Sequence, residues 1–141
     1  VFKLSKKKIG CLIAIERQMK LNIYVDSGIA LDAKISSAFL QSIFHTASPL
    51  HDGGVVIQGE RVSASSCLFP LSENPSVNKT VGTRHRAALG LSEQSDAVVI
   101  LVSEETADVS IAFQGLFHQI ANKEEFIRFL NDLLVPKKEK K

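Results

Sequence analysis

The stretch Ala97-Val-Val-Ile-Leu-Val102 is a continuous apolar run of β-branched character with no alternation. A strand with water on one face alternates apolar and polar residues, so an unbroken run belongs to a central strand buried on both faces. Such a strand demands a covering layer on each side of its sheet. The covering helices are legible. Ile35, Ala38, Phe39 and Ile43 fall at helical spacing over 35–44, closed by Ser48-Pro49. A second helix is predicted near 83–91, after a loop over 71–83 that holds Pro75. A third opens on Asn122 and Glu125 at capping-box spacing and carries Phe126, Leu130, Leu133 and Leu134 until Pro136 ends it.

Further strands complete the sheet. Ile9 to Glu16 is apolar and β-branched, and Asp26-Ser27-Gly28 marks a loop before a short extended piece at Ala30-Leu31-Asp32. Val55-Val-Ile57 and the segment from Val62 to Leu71 flank the turn Gln58-Gly-Glu60, which reads as a β-hairpin. Val109, Ile111 and Phe113 alternate with polar or small neighbours, and Gly115 starts a last short strand through Leu116-Phe117. The fold class read from this pattern is α/β: a single domain with a mixed central β-sheet flanked by α-helices.

A chain of 141 residues holds one domain, and at this size roughly 65–70% of the unfolded surface is buried without help from disulfides or metals. Cys11 and Cys67 sit in apolar surroundings with no second cysteine at metal or redox spacing. They read as buried free thiols, and a reducing cytoplasmic setting is expected. Seventeen Lys plus Arg against fifteen Asp plus Glu give a net charge of +2, too little to argue for a nucleic-acid partner. One tyrosine and no tryptophan weaken that reading further. Lys3, Lys6, Lys7 and Lys8 mark residues 1–8 as a basic N-terminal segment, and Lys137, Lys138, Lys140 and Lys141 mark 136–141 as a basic tail, leaving 9–135 as the domain proper. No apolar run reaches the roughly 18–20 residues of a membrane span. The first residue is Val1, and a preceding segment that carries a membrane anchor is expected.

Three segments suggest chemistry. In His51-Asp52-Gly53-Gly54 the glycines bare the main chain to an approaching ligand. Asp52 suits a divalent metal or a hydroxyl proton, and His51 suits a metal or a proton shuttle; a tight turn before a strand fits the same residues. Gly82-Thr83-Arg84-His85-Arg86 places guanidinium groups at a helix N-terminus, where backbone N–H groups favour phosphate. Positive charge is unfavourable at that end of a helix dipole, so an anion is the better reading than a solvated basic end. Ser103-Glu104-Glu105-Thr106 follows the buried strand directly; its carboxylates can hold Mg2+ or Mn2+ against phosphates or simply form a charged turn. Together these are the parts that phosphoryl or nucleotidyl transfer requires, and no Walker, kinase or Rossmann signature is present.

At these residues the sequence resembles the catalytic domain of bacterial diadenylate cyclases, which make cyclic di-AMP from two ATP. Asp52-Gly53-Gly54 matches the family's Asp-Gly-Ala motif, Arg84-His85-Arg86 its Arg-His-Arg motif and Ser103-Glu104-Glu105-Thr106 its Ser-Glu-Glu-Thr segment. The likeness runs from about Ile9 to Leu134 and is nearest to the membrane-associated subtype. Gly54 stands where the family has alanine, and Leu68 where relatives often place a tyrosine near the base. The resemblance implies one ATP per protomer, with the main chain near Leu68 and Phe69 at the adenine. Gly53, Gly54, Thr83, Arg84, His85, Arg86, Ser103 and Glu104 would surround the rest of the nucleotide. Asp52, Arg84 and His85 are the expected catalytic residues, and Asp52, His51 and Glu105 the expected neighbours of Mg2+ or Mn2+. It also implies a face-to-face homodimer, in which each 3′-hydroxyl attacks the opposite ATP, and anchoring of the full-length protein at the cell membrane by N-terminal helices. A catalytically silent module that binds ATP or a cyclic dinucleotide is the alternative reading.

Overall fold

The unbroken apolar run forms β5 (Val98–Val102), fully buried along its length. In the computed structural model, which describes residues 1–74 and 82–134, it lies inside a seven-stranded sheet. The other strands are β1 (Cys11–Ile15), β2 (Ile29–Lys34), β3 (Gly54–Gln58), β4 (Arg61–Cys67), β6 (Val109–Phe113) and β7 (Leu116–Ile120), in the order β2-β4-β3-β1-β5-β6-β7. Only β1 and β3 run parallel; every other neighbouring pair is antiparallel. The sheet is therefore mixed, as the sequence indicates.

Successive side chains of a strand point to opposite faces, and β5 divides its residues between two cores in that way. Val98, Ile100 and Val102 join Ile13, Val55 and Ile111 on one face, while Val99 and Leu101 join Leu12, Val56 and Ala112 on the other. The first face is covered by α1 (Phe2–Lys6), α3 (Ser37–Phe44) and α5 (Lys123–Leu134), the second by α2 (Asn22–Val25) and α4 (Thr83–Gln94). Helix starts follow the expected chemistry. Ser36 Oγ accepts from the Phe39 N–H at 3.0 Å, and Asn122 Oδ1 accepts from the Glu125 N–H at 2.9 Å. Cys11 and Cys67 are buried free thiols, and burial pushes them up to about 12 and about 11, so neither is a ready nucleophile.

Four expectations change. Residues 1–8 are not a detached basic segment: Leu4 is buried in the core, and the Phe2 ring meets Phe126 edge-on at 5.3 Å, while the lysines remain outside. Two apolar anchors in one short turn outweigh the lysines, whose ammonium groups reach water from an apolar stem. The segment 22–29, read as a turn or loop from Asp26-Ser27-Gly28, begins instead with the short helix α2, held by Tyr24 and Val25 packing on the second core. The strand expected to reach Leu71 stops at Cys67, because Leu68 turns outward and its N–H binds the Ser27 hydroxyl at 3.0 Å. The last strand is longer than Leu116-Phe117 and extends to Ile120, pairing residue by residue with β6. The Pro75 loop over 75–81 and the tail at 136–141 lie outside the described residues.

Candidate functional site

The strand directions bring the chemistry together. β1 and β3 are parallel, so their amino ends lie at one edge of the sheet. β5 runs against β1, with Cys11 opposite Val102, and β4 runs against β3, with Gly54 opposite Cys67. Gly10, His51-Asp52-Gly53, Leu68-Phe69 and Ser103-Glu104-Glu105 therefore emerge side by side, although they are far apart in sequence. Ligand sites of parallel sheets gather at carboxyl ends of strands; here the parallel pair contributes its amino ends, and the antiparallel neighbours β4 and β5 contribute carboxyl ends. The start of α4 closes the ring, giving a cleft of about 870 Å³, within the roughly 300–1,000 Å³ typical of small-molecule sites.

Of the residues singled out from the sequence, His51, Asp52, Gly53, Leu68, Phe69, Thr83, Arg84, His85, Ser103, Glu104 and Glu105 line this cleft. Gly54 and Arg86 do not. Gly54 lies beneath the Phe69 ring, and a Cβ there would overlap ring atoms; the ring, which also meets Tyr24 edge-on at 6.0 Å, fills the space an alanine would need. Arg86 faces away because residues two apart on a helix do not share a face. Its backbone carbonyl accepts from the Ser72 N–H at 2.9 Å, and its guanidinium reaches the Ser72 carbonyl at 3.5 Å. Only Arg84 of the two arginines enters the cleft, so the expected double-arginine cradle is single. Gly82, the first residue of the second segment, lines it too, and Gly10, Thr46 and Asp108 line it while lying outside every motif. A glycine inside a predicted strand, as Gly10 is within 9–16, is the one signal that marks a close approach.

Arg84 is held from two sides. Its Nη1 lies 3.3 Å from Glu104 Oε1, which offsets the unfavourable placement of a cation at a helix N-terminus. Its Nε is buried without a hydrogen-bond partner among the described residues. Burial lowers the proton affinity of His85 and Arg84 lowers it further, against the opposing pull of Glu105 and Asp108, so the ring is neutral near pH 7. It rests against Phe117 at 5.9 Å. Ser103 organises its own loop, its hydroxyl accepting from the N–H groups of Glu105 at 3.3 Å and Thr106 at 3.2 Å. The Ser5 hydroxyl donates to the Ala107 carbonyl at 2.6 Å and ties α1 to that loop.

Across the cleft, Gly53 takes φ +79°, where a Cβ would press on the Ser66 and Cys67 backbone, so only glycine bares the main chain there. His51 Nδ1 lies 2.8 Å from the Ser48 carbonyl, which can only accept, so Nδ1 carries a proton. Nε2 faces Asp52 Oδ1 at 3.3 Å, and the Asp52 side chain is 87% exposed. No group of three or more His, Cys, Asp or Glu among the described residues is arranged to hold a metal ion; Glu105 stands on the opposite wall from Asp52 and His51. The donor set nonetheless suits Mg2+ or Mn2+ in the usual arrangement at phosphates, where one or two carboxylates suffice and the nucleotide supplies other oxygens.

Known proteins resemble this chain in sequence and in fold. A family model described as DisA bacterial checkpoint controller nucleotide-binding, DAC, matches residues 1–117. The chain is 46% identical over 121 residues to cyclic di-AMP synthase CdaA of Bacillus subtilis, covering 86% of this chain and 44% of that protein. It is 42% identical over 132 residues to a diadenylate cyclase of Listeria monocytogenes, covering 94% and 48%. The chain thus spans about half the length of these curated relatives. Among solved structures, a double mutant of DacA from Staphylococcus aureus superposes with a TM-score of 0.92 at 41% identity, covering 96% of this chain and 90% of that one. A protein of Bacillus cereus described as a hypothetical membrane spanning protein superposes with a TM-score of 0.82 at 40% identity, covering 85% and 59%. No helix among the described residues here is long and apolar enough to cross a membrane. With the family match running over residues 1–117 and near-complete superposition on a solved relative, the chain belongs to the DAC family of nucleotide-binding domains.

Proposed function

We propose that this chain is a diadenylate cyclase domain that condenses two ATP into cyclic di-AMP with release of two pyrophosphates. The observation that carries the reading is the convergence of Asp52-Gly53, Thr83-Arg84-His85 and Ser103-Glu104-Glu105 on one nucleotide-sized cleft. The names of the relatives, a cyclic di-AMP synthase and a diadenylate cyclase, point the same way.

The adenine takes the apolar end of the cleft, beside Leu68 and Phe69. The bare main chain at Gly53, the first-turn N–H groups of α4 and the Arg84 guanidinium receive the phosphates. Neutral His85 adds an N–H donor without a second positive charge. Asp52 accepts the proton of the ribose 3′-hydroxyl or orients it. When bound, Mg2+ or Mn2+ supplies charge neutralisation at the phosphates, with Asp52, His51 and Glu105 as its protein neighbours.

Each cleft holds one nucleotide, so the second must come from another copy in a face-to-face homodimer. The 3′-oxygen forms a bond to the α-phosphorus of the opposite ATP, and the bond from that phosphorus to the bridging oxygen breaks with its electron pair leaving on pyrophosphate. A second, symmetric transfer closes the ring. In the same reading, attachment to a membrane comes from a segment outside these 141 residues.

Incubation with ATP and Mg2+ or Mn2+ across a range of protein concentrations, with products resolved by chromatography, tests the proposal. Cyclic di-AMP should appear with a rate that rises faster than linearly in protein. Saturable ATP binding without pyrophosphate release would instead make the chain a nucleotide-binding module.

A further inference from the structure

Gly10, immediately before β1, belongs to none of the sequence motifs, yet it is buried under the Arg84 head group. A Cβ at this position would lie 2.8 Å from Arg84 Nη1, 3.0 Å from Cζ and 3.3 Å from Nε. The guanidinium therefore lies flat against the bare Cα. This contact is also what buries Nε, the atom without a hydrogen-bond partner among the described residues, while Nη1 turns to Glu104 at 3.3 Å. We infer that Gly10 is a positioning residue: its missing side chain sets how deep the Arg84 guanidinium sits, and hence where the cleft presents its positive charge to a phosphate.

The physics separates this role from a stabilising one. Any side chain at Gly10 meets the far end of a long, flexible arginine rather than backbone, so the arginine moves and the fold does not. Movement lifts Nη1 from Glu104 and exposes Nε. The inference rests on the nucleotide reading of the cleft, in which Arg84 meets phosphate, but the depth of the head group is a property of the unliganded chain and is measurable without turnover.

The test uses Gly10→Ala, Arg84→Lys and the double variant in the full 141-residue chain. Gly10→Ala should leave the thermal midpoint unchanged. Solvent exchange of the Arg84 side-chain Nε–H, assigned by its loss in Arg84→Lys, should quicken roughly tenfold as the atom reaches water. Cyclic dinucleotide formation should fall roughly a hundredfold, the cost of misplacing a reacting-site charge by about 1 Å. In the Arg84→Lys background Gly10→Ala should add little, because a residue that acts through another is silent once that partner is changed. An unmoved Nε–H exchange rate, or an equal loss of ATP affinity in both backgrounds, overturns the inference. If wild type makes no cyclic dinucleotide while the exchange shift and the non-additive ATP affinities hold, the cyclase reading falls and the positioning role stands.

Discussion

The two walls of the cleft are built on opposite plans. On the α4 side, Arg84 is buried at Nε and paired with Glu104, and Ser103 knots the loop that carries the carboxylates. On the His51-Asp52 side, the carboxylate is 87% exposed and lies 3.3 Å from Nε2 of the neighbouring His51. One wall is set before any ligand arrives; the other keeps its oxygen atoms free. A phosphate-binding charge acts best when fixed in advance, since nothing need reorganise as charge develops. A group that must meet a hydroxyl from a second molecule, or a metal that comes with the nucleotide, has to remain accessible.

The largest expected effect falls on the open wall. Asp52→Asn should reduce cyclic di-AMP formation by on the order of 10²–10⁴-fold, the scale of a lost general base, while leaving the melting temperature unchanged. Activity near that of wild type would remove Asp52 from its assigned role. The fixed wall should respond in the opposite sense, through stability. Gly90 lies inside α4, and an added Cβ would overlap the Pro70 carbonyl oxygen, which is backbone and cannot swing aside. Gly90→Ala should lower the free energy of unfolding by about 3 kcal/mol, since overpacking against backbone exceeds the gain in helix propensity. A denaturant midpoint equal to that of wild type would show that the α4 wall is looser than its packing implies.

The smallest effect is a pH dependence on the same fixed wall. The folded chain holds the pKa of His85 below its ordinary value of 6.5 through burial. As pH falls through 6.5, the unfolded chain takes up a proton that the folded chain refuses, so stability declines from there down to the lowered folded value. His85→Gln should flatten that part of the stability curve and leave the curve above pH 7 unchanged. An identical slope in the variant would assign the acid sensitivity to other groups.

What was legible in the sequence differs between the sheet and its site. β5 announced itself because burial on both faces removes alternation; β6 was marked by the alternation of Val109, Ile111 and Phe113, although Ala112 is buried on its other face as well. The capping-box pair Asn122 and Glu125 and the spacing of Phe126, Leu130, Leu133 and Leu134 marked α5, and those four apolar residues do pack on the core. The motif residues were legible as chemistry, and most of them line one cleft. Their geometry was less so. Arg86 was grouped with Arg84 by adjacency in a motif, whereas helical spacing alone separates them. α1 was hidden by its lysines, because two apolar side chains in five residues carry no period, and tertiary packing decides such a short turn. Gly10 had no motif to point to it. The close approach that gives it meaning comes from Arg84, a residue that only the fold brings near.

The pairing of Ile13 with both Val55 and Ile100 has a consequence in time. No run of consecutive residues contains the cleft: one edge of it is made before residue 12, another near 52, and the last near 105. Strand pairs so distant along the chain form only after long loops have closed, and such contacts govern the rate of folding. A chain growing from its amino end therefore has no complete cleft until β5 has paired with β1 and residues 103–108 have followed it. Ligand capture would then report the pairing of β5 with β1, and a bound nucleotide would pull on that long-range step rather than on any earlier one.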